Sequence, residues 1–184
     1  MALHRRISRA GWQGWTILSC RGSDDMVLLE DTRQQAGKHR NIHAYCEQQG
    51  IEIIRQMLHY GDYMLAGPEF GGIKGDICCD TKASVVELAS CCFQGHEQLR
   101  DQAERAQRCG VQLIILTEEV LPQGRLDYWR SPMGKDGLPK YKFNPETLRK
   151  ALLTMQDRYG VKFRFCDGRS TGRILIDYLK GERA

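Results

Sequence analysis

The ten residues 75–84, GDICCDTKAS, decide how this chain folds. Ile77, Cys78 and Cys79 open a short apolar strand, which then runs into Asp80, Thr81 and Lys82. Side chains alternate along a strand, so Cys78, Asp80 and Lys82 share one face. A buried strand that ends in a carboxylate and an ammonium on one face calls for a chemical reason. Mg²⁺ takes oxygen ligands, often one or two carboxylates with water and phosphate filling the rest. A lysine beside such an ion orients the attacking water and offsets phosphoryl charge. Together they fit hydrolysis of a phosphodiester.

Working outward, strands and helices alternate. MVLLED (26–31) reads as a buried strand, HRNIHAYCEQQG (39–50) as a helix stopped by Gly50, and IEIIRQML (51–58) as a strand. Gly61 turns the chain into a second short strand, DYMLAG (62–67), followed by a turn-rich loop, GPEFGG (67–72). Downstream of 75–84 come helical ASVVELASCC and HEQLRDQAERAQRCG, then VQLIILTEE (111–119), an apolar run expected of a central strand. Residues 120–144 form a long loop with Pro122, Pro132 and Pro139. Asn144 caps a helix that has Pro145 in its first turn and ends at Gly160. VKFRFC (161–166) alternates as a half-exposed strand, and STGRILIDYLKG (170–181) closes as a helix. The alternation predicts an α/β fold with a mixed sheet.

At 184 residues one domain is expected, with a core large enough to need no staples. The net charge of +4 permits an anionic partner without demanding one. Eight cysteines include the adjacent pairs Cys78–Cys79 and Cys91–Cys92 and no CxxC, so reduced thiols in an intracellular protein fit better than disulfides or structural zinc. No apolar run is long enough to span a bilayer, so no membrane partner is expected. FGGIKGD lacks the Walker register, so no nucleotide cofactor is expected. Residues 1–25 are basic and without period; they read as an N-terminal arm, with Met26 opening the domain at 26–184.

A D/E-x-K triplet alone is weak, since roughly one or two arise by chance in a chain of this size. Its neighbours strengthen it. Asp62 follows Gly61 at the start of a strand, and Asp31 ends the first strand with Arg33 two residues on. Each has a plain alternative: Asp62 as a turn residue, Asp31 and Arg33 as a surface ion pair, Lys82 as a solvated strand end. Their joint order weighs against coincidence. His39, His43, His59 and His96 are not expected as ligands, because Mg²⁺ prefers oxygen. Trp129, Arg130 and Lys135 in the long loop read equally well as a nucleic-acid contact or, for the tryptophan, as packing.

The sequence LLEDTRQQ, then GIEIIRQMLHYGDYML, then ICCDTKASVVEL, then HEQLRDQAERAQRCGVQLIIL resembles the nuclease domain of the XPF-type structure-specific endonucleases over about residues 26–181. These belong to the PD-(D/E)xK, restriction-endonuclease-like superfamily. The resemblance implies a mixed central sheet flanked by helices. It implies a Mg²⁺- or Mn²⁺-dependent DNA endonuclease acting on branched or structured DNA. Asp31, Asp62, Asp80 and Lys82 match the catalytic positions, with Asp62, Asp80 and Asp31 as metal acids. Arg33 and Arg100 match the arginines of the family pattern as DNA contacts. Apart from the resemblance, Lys38, His39 and Arg40 read equally as phosphate contacts or as a solvated helix start. Asp80 stands where the family has glutamate, Gln34 replaces a glutamate, Thr81 replaces an arginine, and Val86 stands where an acid is expected beyond the lysine. The resemblance further implies DNA as partner, a homodimer, a cytoplasmic setting in a bacterial or phage-infected cell, and a compact phage-like member without a helix-hairpin-helix module. The rival reading is a catalytically inactive nuclease fold that binds DNA or a protein. A third is a replication accessory whose fold mediates dimerisation.

Overall fold

The computed structural model describes residues 26–35, 37–66 and 76–182. The expected arm at 1–25, the loop at 67–72 and residues 70–75 of the Walker-like stretch therefore lie outside the described residues.

Six strands form one mixed sheet: β1 Val27–Asp31, β2 Glu52–Gln56, β3 Tyr63–Ala66, β4 Ile77–Lys82, β5 Gln112–Thr117 and β6 Lys162–Phe165. Their order is β2-β1-β3-β4-β5-β6. β1 pairs parallel with β2 and antiparallel with β3; β3 pairs antiparallel with β4; β4, β5 and β6 run parallel. The strand after Gly61 thus pairs with β1 and β4, while β2 lies beyond β1 at the edge.

Two helical layers cover the sheet. α2 Val85–Phe93, α3 His96–Arg108 and α4 Pro145–Tyr159 pack on one face, where Val27, Leu29, Met64, Cys78, Leu113 and Ile115 form the core. α1 Arg40–Gln49 and α5 Thr171–Leu179 cover the other, over Leu28, Tyr63, Leu65, Cys79, Ile114 and Leu116. The strict alternation of β1, β4 and β5 residues between these two cores is the period-2 rule at work. Past Leu29 in β1 and Cys79 in β4 the buried side chains are polar: Glu30, Asp31, Asp80 and Thr81.

Local signals set the helix ends. The Ser84 hydroxyl accepts from Glu87 N at 3.2 Å, and Glu87 Oε2 accepts from Ala83 N at 2.7 Å, so α2 starts directly after Lys82. Asn144 caps α4 through Glu146 N at 2.8 Å, with Pro145 in the first turn and Gly160 left-handed at its end. The long loop is partly built in. Trp129 is buried, stacks on Phe143 at 4.9 Å and donates from Nε1 to Glu119 Oε1 at 2.6 Å. The packing alternative therefore holds for Trp129, and it is not a stacking platform for bases. The seven cysteines among the described residues are all free thiols. Among the described residues no helix is long and apolar enough to cross a membrane.

Candidate active site

β4 carries the centre. Its register places Asp80 opposite Ile115 and Lys82 opposite Thr117, so both side chains leave the sheet on the α2–α3–α4 face. Lys82 Nζ hydrogen-bonds Asp80 Oδ1. The other oxygen, Oδ2, accepts from Gln102 Nε2 of α3 at 3.1 Å. The Asp80 side chain is 7% exposed and that of Lys82 13%.

Asp62 arrives from the neighbouring strand. Its main chain extends the ladder on both sides: Asp62 N donates to Cys79 O at 2.7 Å, and Asp62 O accepts from Asp31 N at 2.8 Å. Gly61 makes this approach feasible. It has φ +68°, and a Cβ there would lie 3.0 Å from Cys79 O and 3.1 Å from Cys78 Cβ. The Asp62 carboxylate then turns toward β4, where Thr81 N at 2.8 Å and Thr81 Oγ1 at 2.9 Å both donate to Oδ2.

Asp31 ends β1 and is buried. Arg33 holds it closely: Arg33 N donates to Oδ1 at 2.8 Å, Nε reaches Oδ2 at 2.9 Å, and Nη2 bonds Oδ2. The same Nη2 donates to Leu58 O at 2.6 Å. This fork is a strong form of the pair. Arg33 itself is largely exposed.

Asp31, Asp62, Asp80 and Lys82 line one cavity of about 240 Å³. The electrostatics identify its stressed member. Burial pushes the Asp80 carboxyl up to about 6 and the charge of Asp62 adds to the push, while Lys82 and the Gln102 hydrogen bond pull it back. Burial acts to lower the Lys82 ammonium, but the charge and hydrogen bond of Asp80 outweigh it and hold it above its ordinary value. The lysine is thus charged at neutral pH, between two acids that repel each other.

A hard dication fits this donor set. Among the described residues no three His, Cys, Asp or Glu side chains stand together as a metal cluster. Mg²⁺ needs only one or two carboxylates with water, and Asp62 and Asp80 supply two whose mutual repulsion a cation would relieve. Asp31 is committed to Arg33 and contributes charge at the edge.

The structure also adds residues. Gln98, Gln102 and Arg105 line the cavity from α3. Their i, i+4, i+7 spacing puts them on one stripe beside the buried Leu99, Ala103 and Ala106, and that stripe was readable in the sequence as a face distinct from the solvated one. Arg100 lies outside the lining, exposed, and pairs with Asp101 at 3.1 Å and Glu104 at 3.8 Å. Lys38 pairs with Glu87 at 3.4 Å, and Arg40 is exposed at the first position of α1. His39, between them, is buried.

The ERCC4 domain matches residues 31–176, from the acid at the end of β1 to the middle of α5. The chain belongs to the ERCC4-domain family. As an ERCC4 domain it is an XPF-type nuclease domain, as its motifs imply. Its fold is similar to "XPF from Aeropyrum pernix", with 18% identity and a TM-score of 0.56 over 84% of this chain and 63% of that one. It is equally similar to "XPF from Aeropyrum pernix, complex with DNA", with 19% identity, a TM-score of 0.56 and the same coverage. The chain thus spans less than two-thirds of the length of those proteins. None of the curated proteins compared with it matches.

Proposed function

We propose that this ERCC4 domain is a metal-dependent DNA endonuclease acting on branched or otherwise structured duplex. One observation carries the reading: Asp62 and Asp80, from adjacent strands, open on one cavity with a charged lysine, and the charge of one acid disturbs the other. The family and the DNA-bound neighbour supply DNA as the substrate class.

Asp62 and Asp80 would hold Mg²⁺ or Mn²⁺, assisted by the main-chain carbonyl of Thr81. When bound, the ion supplies Lewis-acid polarisation of the scissile phosphate and charge neutralisation. The chain's own residues do the rest. Thr81 fixes the Asp62 carboxylate, and Gln102 fixes that of Asp80. Lys82, which pairs with Asp80, would place its ammonium beside the attacking water and the developing charge on phosphorus. Arg33 and Arg105, which line the cavity, would meet flanking phosphates, and Lys38, Arg40 and Arg100 would add further phosphate contacts. Such contacts read backbone and shape rather than base sequence. DNA handling and free thiols both fit the cytoplasm.

A specific observation favours the rival, a DNA-binding module without catalysis. Both oxygens of Asp31 are taken by Arg33 and both oxygens of Asp80 by Lys82 and Gln102, so the acids are internally neutralised. Flap, fork, Holliday-junction and linear DNA incubated with Mg²⁺, Mn²⁺ or EDTA separate the two. Cleavage of branched forms that EDTA stops is expected. Binding without cleavage under every metal condition makes the module reading the correct one.

A further inference from the structure

We propose that His39 is a positioning residue for the Asp62 carboxylate, acting through the hydroxyl of Thr81; this rests on the reading of Asp62 as a metal ligand. His39 precedes α1 and is buried on the face of the sheet opposite Asp80. Its Nε2 lies 3.0 Å from Thr81 Oγ1, and Thr81 Oγ1 lies 2.9 Å from Asp62 Oδ2. A hydroxyl has one proton, and an ionised carboxylate only accepts. The Thr81 proton therefore goes to Asp62, and the imidazole must donate from Nε2–H to Thr81 Oγ1. The chain of donors runs one way, from α1 through β4 to the acid.

The ring is held for this task. Its edge meets Tyr63 at 6.1 Å and 80°. Nδ1 stands 3.5 Å from Glu118 Oε1 without forming a hydrogen bond. Thr81 is itself buried, so its hydroxyl has no water to turn to. With two donors on Oδ2, the Asp62 carboxylate has one orientation, and it loses little rotamer freedom when a cation binds. Without the hydroxyl only Thr81 N would remain. Partners that orient a ligating carboxylate typically change metal affinity by about 10–100-fold when lost.

The test is a Mn²⁺ titration of the full chain without DNA, read by electron paramagnetic resonance of the free ion. A thermal melt of each metal-free variant runs beside it. Thr81→Val keeps the shape of the side chain and removes the hydroxyl; it should weaken Mn²⁺ binding about tenfold. Thr81→Ser restores the hydroxyl and should bind within about twofold of the unmodified chain. His39→Leu should weaken binding several-fold, His39→Gln less, because its amide can donate in place of Nε2–H. The double variant Thr81→Val/His39→Leu should bind no worse than Thr81→Val alone, because His39 acts only through the hydroxyl. Unchanged affinity in Thr81→Val, or additive losses in the double variant, overturns the proposal. If His39→Leu does not fold, His39→Phe, which keeps a ring and removes the Nε2–H donor, takes its place, and unchanged Mn²⁺ affinity in it overturns the proposal. An unmodified chain that binds Mn²⁺ but cuts no DNA refutes the nuclease reading and leaves this titration decisive; one that binds no Mn²⁺ refutes both.

Discussion

Glu30 and Asp80 are both buried carboxylates near the carboxyl ends of central strands, and they are handled in opposite ways. Glu30 lies on the α1–α5 side and is enclosed by partners. Tyr63 Oη donates at 3.1 Å, His43 Nε2 lies 3.1 Å away, and Arg55 Nε stands 3.2 Å from Oε2 as an ion pair without hydrogen-bond alignment. Those partners come from α1, β2 and β3, so Glu30 ties edge to centre. Asp80 lies on the α2–α4 side and has a second acid for a neighbour and a cavity in front. One carboxylate is tied into the architecture by partners on three elements. The other has a single cation, Lys82, and faces a second acid, so burial and the charge of Asp62 still hold its carboxyl above its ordinary value. Burial alone does not separate the two carboxylates; the second acid and the open cavity beside Asp80 do.

The strongest way to break this contrast is to neutralise each acid. Asp80→Asn should lower cleavage by about a thousandfold or more, while DNA binding in EDTA at matched salt holds or tightens, because a negative charge near phosphate is gone. Equal cleavage by both proteins would mean the nuclease activity resides elsewhere. Lys82→Ala should cost about a hundredfold or more in cleavage at saturating metal, with metal affinity changed less. Glu30→Ala should do the reverse: cleavage per folded molecule stays within a few-fold, and unfolding free energy drops by about 3 kcal/mol as the buried ends of its partners lose their acceptor. A denaturant melt checks it, and a stability loss below about 1 kcal/mol would erase the distinction between the two acids.

Two smaller effects sharpen it. Gln102→Ala removes a hydrogen bond that favours ionised Asp80. The acid limb of the pH–rate profile should then move to higher pH, with about a tenfold loss in kcat. Metal and pH should also be linked. The folded value of about 6 lies above the ordinary 3.8, so the contribution of Asp80 to metal-free stability is present below 3.8 and lost as pH rises through about 6. A dication reverses that loss only where Asp80 is ionised. The rise in melting temperature on adding Mg²⁺ should therefore grow from pH 5 to pH 7.5, and a rise independent of pH would place the ion elsewhere.

Much of this was legible from the chain alone. The one-face placement of Cys78, Asp80 and Lys82 follows from strand period, and the ends of α4 follow from Asn144, Pro145 and Gly160. The pairing of β1 with both β2 and β3 was not, because register between distant strands depends on which faces bury against which helices. The rotation of α3 was legible in the spacing of Leu99, Ala103 and Ala106 but was not read from it: they take the core, so Gln102 and Arg105 face the cavity, whereas Arg100 is turned outward to Asp101 and Glu104. His39 looked like one of three basic residues, Lys38, His39 and Arg40, beginning a helix. Its burial depends on Thr81 and Glu118, residues far away in sequence.

Gly61 gives the site a peculiar vulnerability. A methyl group there would meet the main chain of Cys79 and push apart the two strands that carry Asp62 and Asp80, at a backbone angle that only glycine holds without strain. All the acids and the lysine would survive such a change. A relative with alanine there would still display Asp31, Asp62, Asp80 and Lys82, yet the strand spacing that brings them to one cavity would be altered.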